Sequence, residues 1–403
     1  MQLKVVAANC IYRKLNIMKK SLLALAIIAA STTANAATVY DKDGTSLAVG
    51  GRVQAVVYNG KAASDVGDGI ADHDAGLVNS ARLNIEGNTK INDYVSAFAF
   101  SEWDMADGNK SANGDHISTR EQYVGADLGD FGKLLVGKTY DAANEVLAAT
   151  DVFEDFGARQ QGSINGDRRT GMFRYVYDNN GFFGSASYET AADETTVQGE
   201  DYDVEGGFAL SAGYTIDDVV FGPLSFKAGY SYVKGQDDFT KTIKVDDDGW
   251  SLGSFDTFKI ISASISWGST DNGLYIGALY NTQRMKQRAN GFTYDDGVNE
   301  PVYGVSNSSF ATKVKGYEFV VGYTFENGIG AFTGYNVSDV KGSFNEDSAM
   351  YRRVPVYVNY AINDNFNIWG EAEFDANSTS EKDHQLQGGE TGTMLSAGAR
   401  YTF

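Results

Sequence analysis

The sequence contains almost no cysteine, proline or histidine, and each scarcity excludes a class of protein. Its one cysteine, Cys10, precedes the residues that we expect to fold, so disulfides cannot stabilise the structure. Its three prolines form no linker, while glycine and tyrosine are abundant, which favours one large domain. Its three histidines, His73, His116 and His384, lie in predicted loops. A Ser-His-Asp enzyme needs a base beside its nucleophile, so we predict that the protein is not an enzyme.

Long apolar runs are also missing. Beyond residue 36 no stretch is long enough for a helix that crosses the ~30 Å hydrocarbon layer of a membrane. A strand that alternates apolar and polar residues keeps the mean hydropathy low even when it crosses a membrane. The negative mean hydropathy is therefore compatible with a membrane barrel built from strands.

The N-terminus carries the parts of a secretory signal peptide. Met18-Lys19-Lys20 begins a basic segment, Leu22 to Ala30 is an apolar run, and Ala34-Asn35-Ala36 supplies the small residues that a signal peptidase recognises. The apolar run is too short for a transmembrane helix. We expect residues 1–17 to be a mis-assigned upstream start and residues 18–36 to be a signal peptide. Cleavage between Ala36 and Ala37 would leave residues 37–403 as the mature chain.

Basic residues are few in the predicted mature chain. Removal of the N-terminal segment takes away five basic residues and no acid, which leaves 28 basic against 53 acidic residues and a net charge of −25. Phosphate binding needs basic patches, so this balance excludes nucleic acid as a partner. Asp246-Asp247-Asp248 could bind a divalent cation, but the spacing fits no calcium loop and we interpret it as a solvated acidic surface. We predict no metal and no cofactor.

Apolar residues recur with a period of two, which is typical of strands with one polar and one apolar face. In the first predicted strand Val53 and Val57 share one face, while Arg52 and Gln54 share the other. The polar faces of later strands carry charges of both signs and glycines, which suits an aqueous lumen better than the exterior of a soluble sandwich. The same alternation is found in residues 81–86, 226–232, 317–325 and 366–375.

Turn clusters give the number of strands. Seven short clusters alternate with eight longer polar stretches, which joins about sixteen strands and places both termini on the side of the short turns. Short turns at one end and long loops at the other are typical of transmembrane barrels. The last strand alternates up to the terminal Phe403, and in a closed barrel it would pair with the first strand and remove the exposed edges.

Five segments resemble the general porins of Gram-negative bacteria, of both the enteric trimeric type and the Vibrio-like type. They are TVYDKDGTSLAVGGRVQA, SARLNIEGNTKIND, TREQYVGADLGDFGKLLVGKTYD, ATDVFEDFG and the terminal LSAGARYTF. The resemblance implies an all-β antiparallel barrel in the outer membrane, with a third loop that folds inward. It implies a homotrimer through which ions and small hydrophilic solutes diffuse passively. It also implies contact with lipopolysaccharide or outer-membrane lipid, and with the barrel-assembly machinery through Phe403.

In this family acidic side chains of the third loop face arginines on the barrel wall. Carried over, the acidic side is Asp151, Glu154 and Asp155, and the basic side is Arg52, Arg82, Arg120 and Arg168. Arg169 follows directly, so the choice between these two arginines stays open. The resemblance also implies that Glu102 and Lys138 face the lumen. The loop departs from the family in having FEDFG for PEFGG and an additional Arg159.

Alternation alone supports part of this arrangement. It places Arg52 and Arg82 inward on adjacent strands, and Arg400 inward on the last strand. Arginines stay charged near neutral pH, so an opposed carboxylate cluster would create a transverse field that orients polar solutes and water. The alternative is that the arginines only pair with carboxylates of the wall, such as Glu86, Glu371 and Glu373.

Two other functions stay open. A channel specific for sugars or oligosaccharides would often have about eighteen strands or an aromatic track, and Trp369 falls inward. An adhesin with a blocked lumen commonly has about eight to ten strands and a shorter chain. For subunit contacts, alternation predicts Thr119, Glu121 and Gly125 on the outside of the fourth strand. A carboxylate in lipid is costly, so we expect a protein neighbour there.

Overall fold

A computed structural model describes residues 36–59, 75–105, 117–157, 168–197, 200–236, 255–288, 292–294, 302–304, 309–341, 348–377 and 392–403. Sixteen antiparallel strands form the barrel wall: β1 Thr45–Tyr58, β2 Gly76–Lys90, β3 Ser96–Met105, β4 Ser118–Asp127, β5 Lys133–Thr139, β6 Arg169–Asn179, β7 Phe182–Glu189, β8 Glu200–Val219, β9 Gly222–Gly235, β10 Phe255–Gly268, β11 Gly273–Arg288, β12 Ser309–Thr324, β13 Ile329–Lys341, β14 Ser348–Asn363, β15 Phe366–Asp375 and β16 Met394–Thr402.

Four shorter strands accompany the wall. Ala37–Lys42 pairs with the start of β1, at the level where β16 has ended. Ala192–Val197 continues the line of β7 beside β8, and Phe292–Tyr294 pairs with Val302–Gly304 in a separate hairpin. Two short 3-10 helices occupy Gly129–Phe131 and Ala142–Ala149. Within the described ranges, no helix has the length and apolar character needed to cross a membrane.

The wall closes between its first and last strands. β16 pairs with β1 from Arg52 opposite Thr402 to Tyr58 opposite Ser396. Gly51 and Phe403 then exchange two backbone hydrogen bonds of 2.9 and 3.0 Å. Closure leaves neither strand with an unpaired edge, which confirms the predicted barrel of about sixteen strands.

The tight turns lie where the turn clusters predict them. Between β6 and β7, Asn180 and Gly181 both have positive φ angles, of 54° and 81°. Two consecutive residues of this conformation make the hairpin turn whose twist matches that of its strands, and asparagine followed by glycine adopts it at low cost. Most residues of the long predicted loops lie outside the described ranges.

Side chains alternate between lumen and exterior, as the period of two predicts. On β1, Val53 is 55% exposed on the outside while Val56 is 1% exposed on the inside. Buried polar side chains line the lumen face, including Asn84, Ser231, Asn281, Glu318 and Glu371. Large aromatic side chains point outward from much of the wall: Phe182, Tyr188, Phe208, Tyr214, Phe226, Tyr317, Phe319, Tyr323, Tyr335, Tyr360 and Phe374.

Candidate functional site

The connection between β5 and β6 folds into the lumen, and we call its described part, residues 140–157, the inner loop. It begins at the short helix Ala142–Ala149, where the Asp141 side chain accepts a hydrogen bond of 2.9 Å from the Ala143 N–H. Ser231 of β9 donates a hydrogen bond of 2.6 Å to the same carboxylate. Asp141 therefore both caps the helix and ties it to the wall.

Two arginines of β6 fix the start of the inner loop to the wall. Arg169 lies 3.5 Å from Asp141 and 2.9 Å from Glu189, and all three side chains are almost fully buried. One turn further along the helix, Glu145 accepts a hydrogen bond of 2.7 Å from Arg174 of β6. Charges buried this deeply need close partners, so these contacts hold the loop against one side of the barrel.

Glycines on the wall let the inner loop approach closely. A Cβ at Gly229 of β9 would lie 2.9 Å from Val146, and a Cβ at Gly277 of β11 would lie 2.0 Å from the Ala149 oxygen. Any larger residue at Gly277 would displace the loop. Next to it, Tyr275 donates a hydrogen bond of 2.8 Å to the Ala149 carbonyl.

The far end of the inner loop is held by one carboxylate. Glu371 of β15 accepts hydrogen bonds of 2.8 Å from the backbone N–H groups of Glu154, Asp155 and Phe156. The Phe156 ring packs edge-on against Tyr58, with 6.2 Å between centroids. Alternation predicts Glu371 on the lumen face, where we expected it as a possible partner for a wall arginine. Its role as acceptor for the loop backbone depends on a contact across 215 residues of sequence.

Among the acids predicted at the constriction, Glu154 meets two wall arginines. It forms a close ion pair with Arg400 and lies 4.0 Å from Arg52. Asp151 is exposed on the inner loop.

Asp155 has neutral hydrogen-bond partners, and its predicted position opposite the arginines stays a prediction. Its carboxylate accepts hydrogen bonds from Tyr58 and Trp369, both of 2.9 Å, and from Ser396. Three neutral donors on β1, β15 and β16 thus hold Asp155 against the wall.

Three of the predicted wall arginines, Arg52, Arg82 and Arg120, form one cluster on β1, β2 and β4. Arg82 donates a hydrogen bond of 2.7 Å to Asp104, and Arg120 donates to Glu102 at 2.6 Å and to Asp104 at 2.9 Å. This pairing matches in part the alternative that the arginines bind wall carboxylates, although the acids differ from those suggested by alternation. The pair between Arg52 and Glu154, at 4.0 Å, is longer than a direct hydrogen bond.

A bulge in β4 corrects the predicted position of Glu121. The register shifts so that Glu102 faces Glu121 while Trp103 faces Thr119, which leaves Arg120 as an additional residue. A bulge places two consecutive side chains on one face, so Arg120 and Glu121 both turn inward. Glu121 accepts a hydrogen bond of 2.9 Å from Thr139 and lies 3.8 Å from Arg168. Gly125 also falls on the inner face, opposite Leu135, which is 1% exposed. Glu121 is therefore not the outward-facing carboxylate that alternation predicts on this strand.

The structure also corrects the predicted position of Lys138. It pairs in register with Gln122, two residues from the outward Val136, and its ammonium donates a hydrogen bond of 2.7 Å to the Thr119 carbonyl. Leu135 and Thr139 of β5 are buried and Val136 between them is exposed, so Lys138 falls on the outer face rather than in the lumen, although the register with β6 shifts beside it.

The choice left open between Arg168 and Arg169 has a structural answer. Arg168 lies over the Tyr140 ring, 4.3 Å from its centroid, and pairs with the inward Glu121. Arg169 instead forms the buried ion pairs with Asp141 and Glu189. These contacts favour Arg168 over Arg169 as the predicted wall arginine.

Several predicted features lie outside the described residues. These are the signal segment up to residue 35, Arg159, the three histidines and the triplet Asp246-Asp247-Asp248. Among the residues that the structure does describe, no group of three or more His, Cys, Asp or Glu side chains could hold a metal ion.

Comparison with known proteins identifies the family of this barrel. The family model described as Gram-negative porin matches residues 22–380. The chain belongs to this family. This porin is 28% identical over 362 residues to the outer membrane porin PhoE of Enterobacter cloacae, which covers 87% of this chain and 91% of the relative. It lies in the outer membrane as a multi-pass β-barrel and forms a channel for passive diffusion.

Solved structures share the porin fold. The Salmonella typhi OmpF complex with daunomycin matches with a TM-score of 0.65 at 17% identity, over 91% of this chain and 100% of that one. In-vitro folded OmpT of Vibrio cholerae, in its trimer form, matches with a TM-score of 0.64 at 16% identity, over 90% of this chain and 100% of that one.

Proposed function

We propose that the inner loop and the arginine cluster form the constriction that sets the size limit and ion selectivity of this porin. The observation that carries the proposal is the capture of three loop N–H groups by Glu371, which fastens the loop across a closed lumen. A loop held at both ends inside the barrel narrows the path that solutes must take.

The charges beside the loop tip give the constriction its chemistry. Arg400, Arg52, Arg82 and Arg120 lie on β16, β1, β2 and β4, with Glu154 as the loop acid beside the first two. At the rim of the path, Asp151, exposed on the same loop, is a candidate for negative charge, and Arg168 is a candidate for positive charge. Fixed charges of both signs orient water and polar solutes, so small hydrophilic solutes and ions should pass more readily than apolar ones.

Liposome swelling with a graded series of sugars tests this function. A general channel admits smaller sugars faster, with no saturation. Saturation with one sugar would favour the alternative of a substrate-specific channel, and no swelling would contradict a channel altogether. In the same preparation, a difference in gel mobility between unheated and heated protein should show that the barrel is folded.

We also propose that this porin forms a homotrimer, through its outer face at β1 to β5. Glu121 no longer supports this idea, but the shape of the wall does. Small outward residues leave a groove of about 690 Å³ there, whose lining includes Leu47, Gly87, Ala97, Ala99, Val124 and Ala126. The large aromatic side chains point outward from other strands. An apolar depression of this size indicates a protein neighbour more than lipid.

A bulky substitution in the groove tests the trimer. Ala99→Trp should convert the trimer into monomers in mild detergent, as measured by light scattering. Ala263→Trp is the matched control, because Ala263 is equally exposed on β10, far from the groove. A wild-type protein that is already monomeric, or two variants that behave alike, would contradict this interface.

The remaining expected features continue as proposals. We propose cleavage between Ala36 and Ala37, recognition of the terminal Phe403 by the barrel-assembly machinery, and contact with lipopolysaccharide. N-terminal sequencing of the secreted protein tests the first, and deletion of Phe403 with measurement of membrane insertion tests the second.

A further inference from the structure

The first and last strands of the wall meet at a junction that we call the seam. β1 and β16 pair there although they lie at opposite ends of the chain, and Asn59 and Leu395, which hydrogen-bond across it at 3.0 Å, are 336 residues apart. Every other neighbouring pair of wall strands is consecutive in sequence. The entropic cost of joining two strands grows with the length of chain between them, so the seam is the most costly junction to close.

The side chain of Asp155, at the tip of the inner loop, bridges the seam from inside the lumen. Its carboxylate accepts hydrogen bonds from Tyr58 of β1 and from Ser396 of β16, and Trp369 of β15 donates a third bond of 2.9 Å. The three donor residues are 5–7% exposed, so water has little access to them. Loss of the carboxylate would therefore leave buried donors without an acceptor on both sides of the seam.

Glu154, the preceding residue, bridges the same two strands with its charge. It forms a close ion pair with Arg400 of β16 and lies 4.0 Å from Arg52 of β1. The two arginines lie on adjacent strands, two register positions apart, where like charges repel each other. The carboxylate of Glu154 offsets this repulsion, and Gln54 of β1 accepts two further hydrogen bonds from Arg400, of 2.8 and 3.0 Å. Two consecutive residues of the loop therefore contact both strands of the seam.

Apolar contacts at the loop tip also span the seam. Trp369 of β15 lies over Gly398 of β16, where a Cβ would come within 2.3 Å of the indole ring. The Phe156 ring of the inner loop packs edge-on against Tyr58 of β1. Together with Val56 of β1, these buried rings form one cluster on the inner face of the wall. The loop tip is therefore packed onto both sides of the seam rather than onto one.

We propose that the inner loop has a second function besides narrowing the channel: its tip clamps the seam and keeps the barrel closed. The earlier anchors of the loop bind strands away from the seam. Asp141 binds Ser231 of β9, and Thr150 donates a hydrogen bond to Glu318 of β12. An open seam would expose two unpaired strand edges, which a membrane barrel must avoid. This function does not depend on the route or size of the solutes.

Hydrogen exchange of the folded full-length porin in detergent, read by mass spectrometry, tests the clamp. In Asp155→Ala the backbone N–H groups of residues 52–58 and 394–402 should exchange about tenfold faster than in wild type, since a hydrogen bond to a charged group contributes at least this factor. Residues 314–322 of β12 should exchange as in wild type. Thr150→Val is the matched control, because it removes a contact between the loop and β12 and should leave exchange at the seam unchanged.

A disulfide across the seam provides the second measurement. Ala55 and Ala399 lie opposite each other in a hydrogen-bonded pair of the two strands, where Cα atoms are about 5.5 Å apart, as a disulfide requires. In the Asp155→Ala background, oxidation of Ala55→Cys with Ala399→Cys should return exchange at the seam to the wild-type rate. Tyr58→Phe removes one donor and keeps the ring, so it should accelerate exchange of the same residues to a smaller extent.

Three outcomes would overturn the proposal. The first is unchanged exchange at the seam in Asp155→Ala, or in Tyr58→Phe if Asp155→Ala does not fold. The second is an equal acceleration at the seam in the Thr150→Val control. The third is an acceleration that the disulfide does not remove. A difference in gel mobility between unheated and heated protein shows which variants are folded.

Discussion

The buried carboxylate of Glu371 accepts a hydrogen bond of 2.8 Å from the backbone N–H of Phe156, which lies 215 residues earlier in the chain. Two further N–H groups of the inner loop bind the same carboxylate at the same distance. The negative charge is thus matched by three fixed donors rather than by a cation. This arrangement makes the loop position depend on one side chain of β15.

Replacement of that side chain should release the loop tip. Glu371→Ala leaves three N–H groups without their acceptor, and each unsatisfied buried group costs about 1–3 kcal/mol. We expect larger and noisier single-channel conductance, with a fold that survives because the wall ladder is unchanged. Glu86→Gln alters a carboxyl on the inner face of β2 and should leave the conductance noise as in wild type. Identical traces for wild type and Glu371→Ala would show that Glu371 does not hold the loop.

Ion selectivity should respond to the arginine cluster in a defined direction. Arg82→Ala and Arg52→Ala each remove positive charge and volume from the lumen, so cation preference and entry of larger solutes should rise. Glu154→Gln removes the acid beside Arg52 and Arg400 and should shift selectivity toward anions. Reversal potentials in a salt gradient measure both changes. Unchanged potentials in all three variants would place the constriction elsewhere.

Asp155 should act differently from Glu154. Because its partners are Tyr58, Trp369 and Ser396, Asp155→Ala should act mainly by loosening the loop tip. Its effect should therefore resemble that of Glu371→Ala in conductance noise. A clean selectivity shift with quiet conductance would place Asp155 at the constriction.

The start of the inner loop should contribute to stability. Arg169→Met leaves Asp141 and Glu189 buried without their cation, and loss of one partner from such a group costs about 3–5 kcal/mol. The temperature at which the folded barrel converts to the unfolded form on a gel should fall. Arg168→Met, at the adjacent but half-buried position, should lower it much less. Equal shifts in the two variants would mean that Arg169 has no special role in anchoring.

Net charge predicts a weak preference for cations. The predicted mature chain has a net charge of −25, and acidic residues near the mouth raise the local cation concentration. The arginine cluster opposes this inside the lumen. Lower salt lengthens the range of the mouth charges, so the preference should grow as salt falls. A clear anion preference at low salt would contradict this balance.

Alternation along the chain predicts much of the wall and only part of the site. It places Arg52, Arg82, Arg400 and Glu371 inward because each lies on a strand with an unbroken period of two. It fails at Glu121, since a bulge depends on how β4 pairs with β3 and leaves no mark in the period. Lys138 was assigned by resemblance, and its own strand places it outside.

The path of the inner loop could not be predicted from local sequence. The contacts that fix it join residues far apart, such as Asp141 with Ser231 and Asp155 with Ser396. The local sequence around either residue has no pattern that identifies the residue it contacts. The glycines that give the loop room, Gly229 and Gly277, look in sequence like the many other glycines of the strands.

The most direct test of the inner loop is a disulfide between it and the wall. A Cβ at Gly229 would lie 3.3 Å from the Ala143 Cβ, close to the separation of about 3.5–4.5 Å found in disulfides. The variant Ala143→Cys with Gly229→Cys should therefore form a cross-link on oxidation, visible as a changed gel mobility that a reductant reverses. Ala143→Cys with Gly184→Cys should form none, because Gly184 lies on the outer face of β7 and a Cβ there would have no other atom within 4 Å. Failure of the first pair to cross-link in a folded, conducting protein would contradict an inner loop held against β9.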